Sequence, residues 1–330
     1  MRALLLLVGL LLQLHAHSTT ARRDDPRPIN RSAQVAYEKL NARDFAYLER
    51  QVTELRRSPR LLSDGQPELA AFYAGVSKCV QMRCGDEDLS PEAWSHHSLL
   101  LDEWNKAYPH SSAAKIARAN FMREFAWYAR GLGYSNTVSD AQYKLFAQRT
   151  QTAHAMFEEI RKSSADDPAW IAGLLAIALV ERWSSDRFNA LHDEGVRRFP
   201  YYMPIYFLKG AYLSPRWGGT HSSFTKYVNE TVQATSSTMG ESMYARLNWS
   251  SWSPDMFQSG QSDWPRMREG FLRITRDFPD QWNINHFAKF ACMAGDADTL
   301  RSQIGKITPT PIREAWGDMQ FFDRCKELAR

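Results

Sequence analysis

Helical periodicity runs through nearly the whole chain from Ser32 onward. Apolar residues recur three and four positions apart, which is the spacing that places them on one side of an α-helix. No run of β-branched residues alternates with polar residues for long enough to predict a strand. The sequence therefore predicts an all-α fold, and 330 residues are enough to bury a large core.

Residue pairs that end in proline recur before predicted helices. The four pairs are Tyr108-Pro109, Asp167-Pro168, Phe199-Pro200 and Phe278-Pro279. Proline cannot continue the helix before it but suits the start of the next one. Only Pro168 and Pro200, which are 32 residues apart, approach the tetratricopeptide period of about 34 residues. We therefore expect tetratricopeptide-like helical hairpins stacked into an irregular α-solenoid.

Local signals place several helix boundaries. A pair of short amphipathic helices breaks near Asn41, and Asp44 is placed to cap the second one. Asp296 is placed in the same way before a helix near the C-terminus. Four further helices are predicted at about 68–81, 91–107, 139–162 and 297–307.

The N-terminus resembles a secretory signal peptide. Arg2 is followed by ten apolar residues from Ala3 to Leu12, a run too short to span a hydrocarbon layer of about 30 Å. A membrane anchor is the alternative. We expect cleavage near residue 16 or 21, so that 1–21 are removed and the mature protein is periplasmic or secreted from a bacterium, with no stable membrane insertion. The predicted organisation then continues with a flexible leader (22–31), N-terminal helical hairpins (32–90) and a single tetratricopeptide-like domain (91–330).

Four cysteines form an even set in an exported chain. They are Cys79, Cys84, Cys292 and Cys325. Three pairings are possible, and an oxidising compartment favours disulfides over buried thiols, which are the alternative. None is spaced as Cys-x-x-Cys, so a zinc site is not expected.

The sequence offers little that indicates catalysis. The formal charge of only +4 argues against nucleic acid as the main partner. Nucleophile-elbow, phosphate-loop and His-Glu-x-x-His motifs are missing from the sequence, and no cofactor or metal is predicted. Adjacent carboxylates at Asp102-Glu103 and Glu158-Glu159, and the group His192-Asp193-Glu194, are interpreted as solvated helix surfaces.

Arginine and tryptophan occur close together at three places. The pairs are Trp127 with Arg130, Arg216 with Trp217, and Arg246 with Trp249. A guanidinium can stack on an indole ring, and such pairs can line a concave groove that binds a peptide, a glycan or a partner protein. The alternative is an interior arginine that packs on core tryptophan. The ligand-binding candidates are Arg216, Trp217, Arg246, Trp249 and Trp252, all between about residues 213 and 265.

Five stretches give the chain a family resemblance. They are Ala126–Gly131, Phe199–Tyr202, Leu213–Gly219, Tyr244–Trp249 and Trp282–Cys292 with the following Gly295-Asp296. Together they resemble a bacterial domain-of-unknown-function family, number 4034, over about residues 95–300. The resemblance implies a tetratricopeptide-like fold and supplies no reaction.

The sequence thus predicts a scaffold that binds a protein or peptide in the bacterial envelope, and it favours a binding protein over an enzyme. Two alternatives stay open. The first is an enzyme acting on envelope glycans in an aromatic and acidic groove, which needs two carboxylates about 5–10 Å apart. The second is a secreted inhibitor or immunity protein.

Overall fold

The computed structural model describes residues 26–82, 90–131 and 137–329, with the backbone alone for 79–82. The predicted signal peptide and Cys84 lie outside these residues. The described chain is helical and contains no strand, so the predicted all-α class is confirmed for it. Its helices are α1 (Pro28–Asn41), α2 (Phe45–Arg57), α3 (Glu68–Met82), α4 (Pro91–Ala107), α5 (Ser112–Arg130), α6 (Asp140–Glu159), α7 (Arg161–Ser164), α8 (Pro168–Val180), α9 (Ser185–Arg198), α10 (Met203–Leu213), α11 (His221–Ala234), α12 (Glu241–Ser250), α13 (Trp264–Asp277), α14 (Gln281–Ala294), α15 (Ala297–Ile304), α16 (Arg313–Trp316) and α17 (Met319–Leu328).

Side-chain caps fix many of the helix starts. Both predicted caps are confirmed: Asp44 accepts a hydrogen bond from the Tyr47 amide at 3.2 Å, and Asp296 accepts one from the Thr299 amide at 2.9 Å. The predicted helices at 68–81 and 91–107 also match α3 and α4 closely. None of the described helices has both the length and the apolar character needed to cross a bilayer.

The aromatic-proline pairs mark helix ends more than helix starts. Tyr108, Phe199 and Phe278 are each the C-terminal cap of the preceding helix, with φ between −129° and −137° and ψ between 62° and 76°. Proline disfavours the α conformation in the residue before it, which ends the helix there. In these three units the next helix begins two or three residues after the proline, and among the four pairs only Pro168 is itself the first residue of a helix.

The core is organised around α8. Every residue of α8 from Pro168 to Leu179 is buried, as expected for a helix that is apolar on all sides. It contacts α3, α5, α6, α9 and α10. One apolar cluster includes residues from Ala36 to Ile205, while two smaller clusters are built from the C-terminal helices.

A disulfide joins Cys292 of α14 to Cys325 of α17, with their Cα atoms 5.7 Å apart. This is one of the pairings that the sequence left open; the Cys79 side chain and Cys84 are not among the described groups. The bond closes a loop of 33 residues around the C-terminal cluster. A cross-link of this kind stabilises a fold mainly by restricting the unfolded chain.

Replacing Cys292 and Cys325 together by alanine is therefore expected to lower the free energy of unfolding by about 2–4 kcal/mol. Urea denaturation of the variant and of the wild-type protein, without reductant, measures the difference. Equal midpoints for the two proteins would show that this bond contributes nothing to stability.

Candidate functional site

Two of the five predicted ligand-binding residues lie in the core. Arg246 is 3% exposed and Trp249 is 7% exposed, which corrects the expectation that they line an open groove. The predicted stacking of the Arg246 guanidinium on the Trp249 ring is replaced by contacts of each side chain with other residues. The Arg246 guanidinium lies over the Phe278 ring at 5.8 Å, whereas the Trp249 ring packs on His286 at 4.2 Å.

Trp252 continues this buried arrangement at the end of α12. Its ring is half-buried, and Nζ of Lys289 lies 4.2 Å from the ring centre. Lys289 is itself buried and donates a hydrogen bond to the Ala315 carbonyl at 3.2 Å. Burial lowers the pKa of Lys289 to about 8. Trp252 therefore serves as one face of a buried cation site within the protein.

Trp217 lies against a different part of the molecule. It belongs to a short 3-10 helix, Pro215–Trp217, and meets the Trp127 ring edge-on at 6.4 Å. Arg130 lies over Trp127 at 5.5 Å, which confirms the stack predicted for that pair. Arg216 is exposed. Trp217 packs on the large N-terminal cluster and Trp252 on a C-terminal one, so the candidates divide between two places.

The predicted carboxylate pairs form surface ion pairs with arginines. Asp102 accepts from Arg118 at 2.8 Å, and Glu158 accepts from Arg161 at 2.7 Å. The hydrogen bond from Arg161 lowers the pKa of Glu158. A glycosidase acid needs a raised pKa instead, so this pair does not provide one.

One cleft lies within the predicted segment 213–265 but is lined by residues other than the five candidates. Its volume is about 680 Å³. One wall is the outer face of α11, and the other is formed by residues 259–261. The α11 wall carries Ser222, Thr225, Lys226, Asn229, Glu230 and Gln233.

The polar wall follows from the amphipathic pattern of α11. The opposite face of this helix buries Phe224, Tyr227, Val228, Thr231 and Val232. Reciprocal hydrogen bonds between Thr220 and Ser223 fix the start of the helix. Burial of the apolar face therefore leaves Thr225, Asn229 and Gln233 on the outside, one turn apart.

Hydrogen bonds hold the second wall of the cleft in place. Ser262 donates to Oδ1 of Asn248 at 2.6 Å, and Gln261 donates to the Ser251 carbonyl at 3.0 Å. Ser253 donates to Oε1 of Gln261 at 3.1 Å. The segment opposite α11 is thus anchored to the end of α12.

Arg266 orients the central amide of the cleft. Nη1 of Arg266 donates to Oδ1 of Asn229 at 2.8 Å, and Glu241 pairs with the same guanidinium at 3.3 Å. The Asn229 oxygen is therefore fixed as the acceptor for arginine, which leaves Nδ2 to donate toward a ligand. Lys226 and Glu230 lie 3.8 Å apart and offset each other's charge. The cleft consequently offers neutral hydrogen-bonding groups beside one lysine–glutamate pair that has no net charge.

Among the residues that the structure describes, no group of three His, Cys, Asp or Glu side chains is placed to hold a metal ion. We found no protein-family model, curated protein or solved structure that matches this chain.

Proposed function

We propose that this protein is an exported bacterial scaffold that binds an extended peptide segment in the cleft beside α11. The observation that carries the proposal is the row formed by Thr225, Asn229 and Gln233. This row faces the anchored wall at residues 259–261 across a cleft with a volume of about 680 Å³. Thr225 and Gln233 each have both a hydrogen-bond donor and an acceptor, as does every peptide unit, and Asn229 has its Nδ2 donor. A cleft of neutral hydrogen-bonding groups suits a polypeptide backbone.

The spacing of the row also suits an extended chain. Side chains four residues apart on a helix are separated by about 6 Å along its axis. Peptide groups that point the same way in an extended chain recur every two residues, or about 6.6 Å. A short extended peptide lying along α11 can therefore present one peptide group to each of Thr225, Asn229 and Gln233.

Helix geometry in the C-terminal half supports a tetratricopeptide-like repeat. Trp249 contacts His286, and Trp252 contacts Lys289, so residues 37 positions apart meet where the end of α12 and the two residues after it lie against α14. A constant offset means that the chain at the end of α12 runs in the same direction as α14. Parallel alternate helices, separated by one intervening helix, are what stacked hairpins of about 34 residues produce. The resemblance to family 4034 points the same way.

An exported location belongs to the same proposal. The Cys292–Cys325 disulfide suits an oxidising compartment such as the periplasm, which agrees with the signal-like N-terminus. The partner we propose is a protein that presents an extended segment in the bacterial envelope.

Replacing Asn229 and Gln233 by alanine tests the cleft. Selection from a displayed library of random dodecapeptides should enrich sequences on the wild-type protein. The double variant should bind these peptides about tenfold or more weakly, because each lost hydrogen bond contributes about 1 kcal/mol. Dissociation constants measured by fluorescence anisotropy give the comparison.

A matched control is available on α6, where Gln148 and Gln151 are equally exposed. The Gln148→Ala and Gln151→Ala double variant should retain full affinity. If the cleft variant and the control bind the selected peptides as tightly as the wild-type protein does, the peptides bind elsewhere and the assignment fails.

A further inference from the structure

The loop between α2 and α3, residues 58–67, is seated on helices much later in the chain. The Asp64 carbonyl accepts hydrogen bonds from Nη2 of Arg246 at 3.1 Å and from Nδ2 of Asn283 at 3.2 Å. Ser63 donates to Oδ2 of Asp280 at 2.6 Å. These contacts join positions separated by 182, 219 and 217 residues, so the loop bridges the two halves of the molecule.

Gly65 lets the loop approach this closely. Its φ of +84° favours glycine, and a Cβ atom there would lie 2.4 Å from Nη2 of Arg246 and 2.9 Å from the Phe278 ring. The loop backbone therefore fills a space bounded by Arg246, Asn283 and Phe278, and no larger residue fits at position 65 without moving them.

The polar side chains beneath the loop, Arg246 and Asn283, have hydrogen-bonding capacity or charge that their partners satisfy only in part. Arg246 is buried, and its guanidinium donates to the Asp64 backbone carbonyl rather than to a carboxylate. The Asp64 carboxylate instead accepts from the Gln66 amide at 3.0 Å. Oδ1 of Asn283 is buried without a hydrogen-bond partner. Burial lowers the pKa of Arg246 to about 10, and the nearby Asp64 carboxylate of the loop offsets this effect only in part.

We propose that Arg246 and Asn283 form a carboxylate-binding site that the chain's own loop, residues 58–67, keeps closed. The Asp64 carbonyl occupies the place of one carboxylate oxygen. The ligand is an extended peptide segment that brings a carboxylate to that point. The Asp64 carbonyl carries no net charge, whereas a carboxylate can pair with the Arg246 guanidinium in a bidentate ion pair and neutralise its charge, so a carboxylate can displace the carbonyl that the loop supplies.

Gly65→Val opens the site without altering the residues that form it. Valine at this position clashes with Arg246 and Phe278, so the loop should leave and trypsin should cleave faster after the exposed Arg60. Two synthetic peptides with the sequence of residues 58–64 serve as probes, one ending in a free carboxylate and one in an amide, and both carry glutamine in place of Arg60 so that trypsin does not cleave them. The free acid should bind the opened variant about tenfold more tightly than the amide does.

Two further variants complete the test. Gly218→Val introduces similar backbone strain at φ +92° where a Cβ meets nothing within 4 Å, so cleavage after Arg60 should stay slow. Gly65→Val combined with Asn283→Ala should lose most of the affinity for the free acid. Asn229→Ala with Gln233→Ala should leave this binding unchanged, which separates the site from the α11 cleft.

A folded Gly65→Val protein that binds the acid and the amide equally, or neither peptide, overturns the proposal. If this variant does not fold, the wild-type protein decides the question. Millimolar free-acid peptide should accelerate tryptic cleavage after Arg60 by competing with the loop, and an unchanged cleavage rate counts against the site.

Discussion

Asp167→Ala is expected to lower the free energy of unfolding by about 3–5 kcal/mol, since it removes one partner of a buried ion pair. Asp167 is 1% exposed and accepts from Nε of Arg56 at 2.6 Å and from the Tyr73 hydroxyl. It also caps α8 through the Ala169 amide at 2.8 Å. Because Arg56 bonds Ser112 as well, at 3.0 Å, one carboxylate connects α2, α3, α5 and α8.

The preceding residue provides the control. The Asp166 side chain is 98% exposed and pairs with Arg198 at 2.6 Å. Exposed pairs contribute about 0–1 kcal/mol, so Asp166→Ala should have little effect. Urea denaturation at pH 7 measures both variants. Similar losses for the two would mean that the Asp167 network does not organise the N-terminal core.

Stability is expected to fall steeply as the pH drops below about 6.5, because three histidines are buried in the neutral form. Burial lowers the pKa of His97 and His192 to about 4 and that of His286 to about 3. Between these lowered pKa values and the ordinary histidine pKa of 6.5, the histidines are protonated in the unfolded chain but neutral in the folded one. The unfolded chain therefore binds more protons in this pH range. Each histidine then removes about 1.4 kcal/mol of stability per pH unit within that window.

Each of the three rings has a fixed role in the interior. His97 and His286 bond the carbonyls of Val76 and Trp282, at 2.7 Å and 2.8 Å. His192 lies between Asp193 and Tyr227, which corrects its interpretation as a helix surface. Urea denaturation at pH 7.0 and 5.0 tests the prediction. His286→Gln should reduce the pH dependence, and replacement of the exposed His110 should leave it unchanged. Equal stability at both pH values would show that these histidines are not held neutral.

Local features of the fold could be predicted from the sequence. Apolar spacing and capping residues act over three or four positions, which is why α3, α4 and the Asp44 and Asp296 caps match the predictions. Contacts between elements that are distant in the sequence could not be predicted in this way. Arg246 and Trp249 are neighbours on α12, but the partner that satisfies Arg246 comes from a loop 182 residues earlier.

The cleft could not be predicted from the local sequence pattern of α11 either. Thr225, Asn229 and Gln233 resemble any solvated helix face, and only the wall at residues 259–261 makes them part of a cleft. One signal was present: the outer stripe of α11 is rich in hydroxyl and amide side chains where charged residues are common on exposed helices.

Hydrogen exchange with and without a selected dodecapeptide tests the proposed peptide site most directly. Saturating peptide should slow amide exchange in α11 and at residues 259–261, and Asn229→Ala with Gln233→Ala should abolish that protection. Protection confined to another region, such as the Trp127–Trp217 contact, would contradict peptide binding in the α11 cleft.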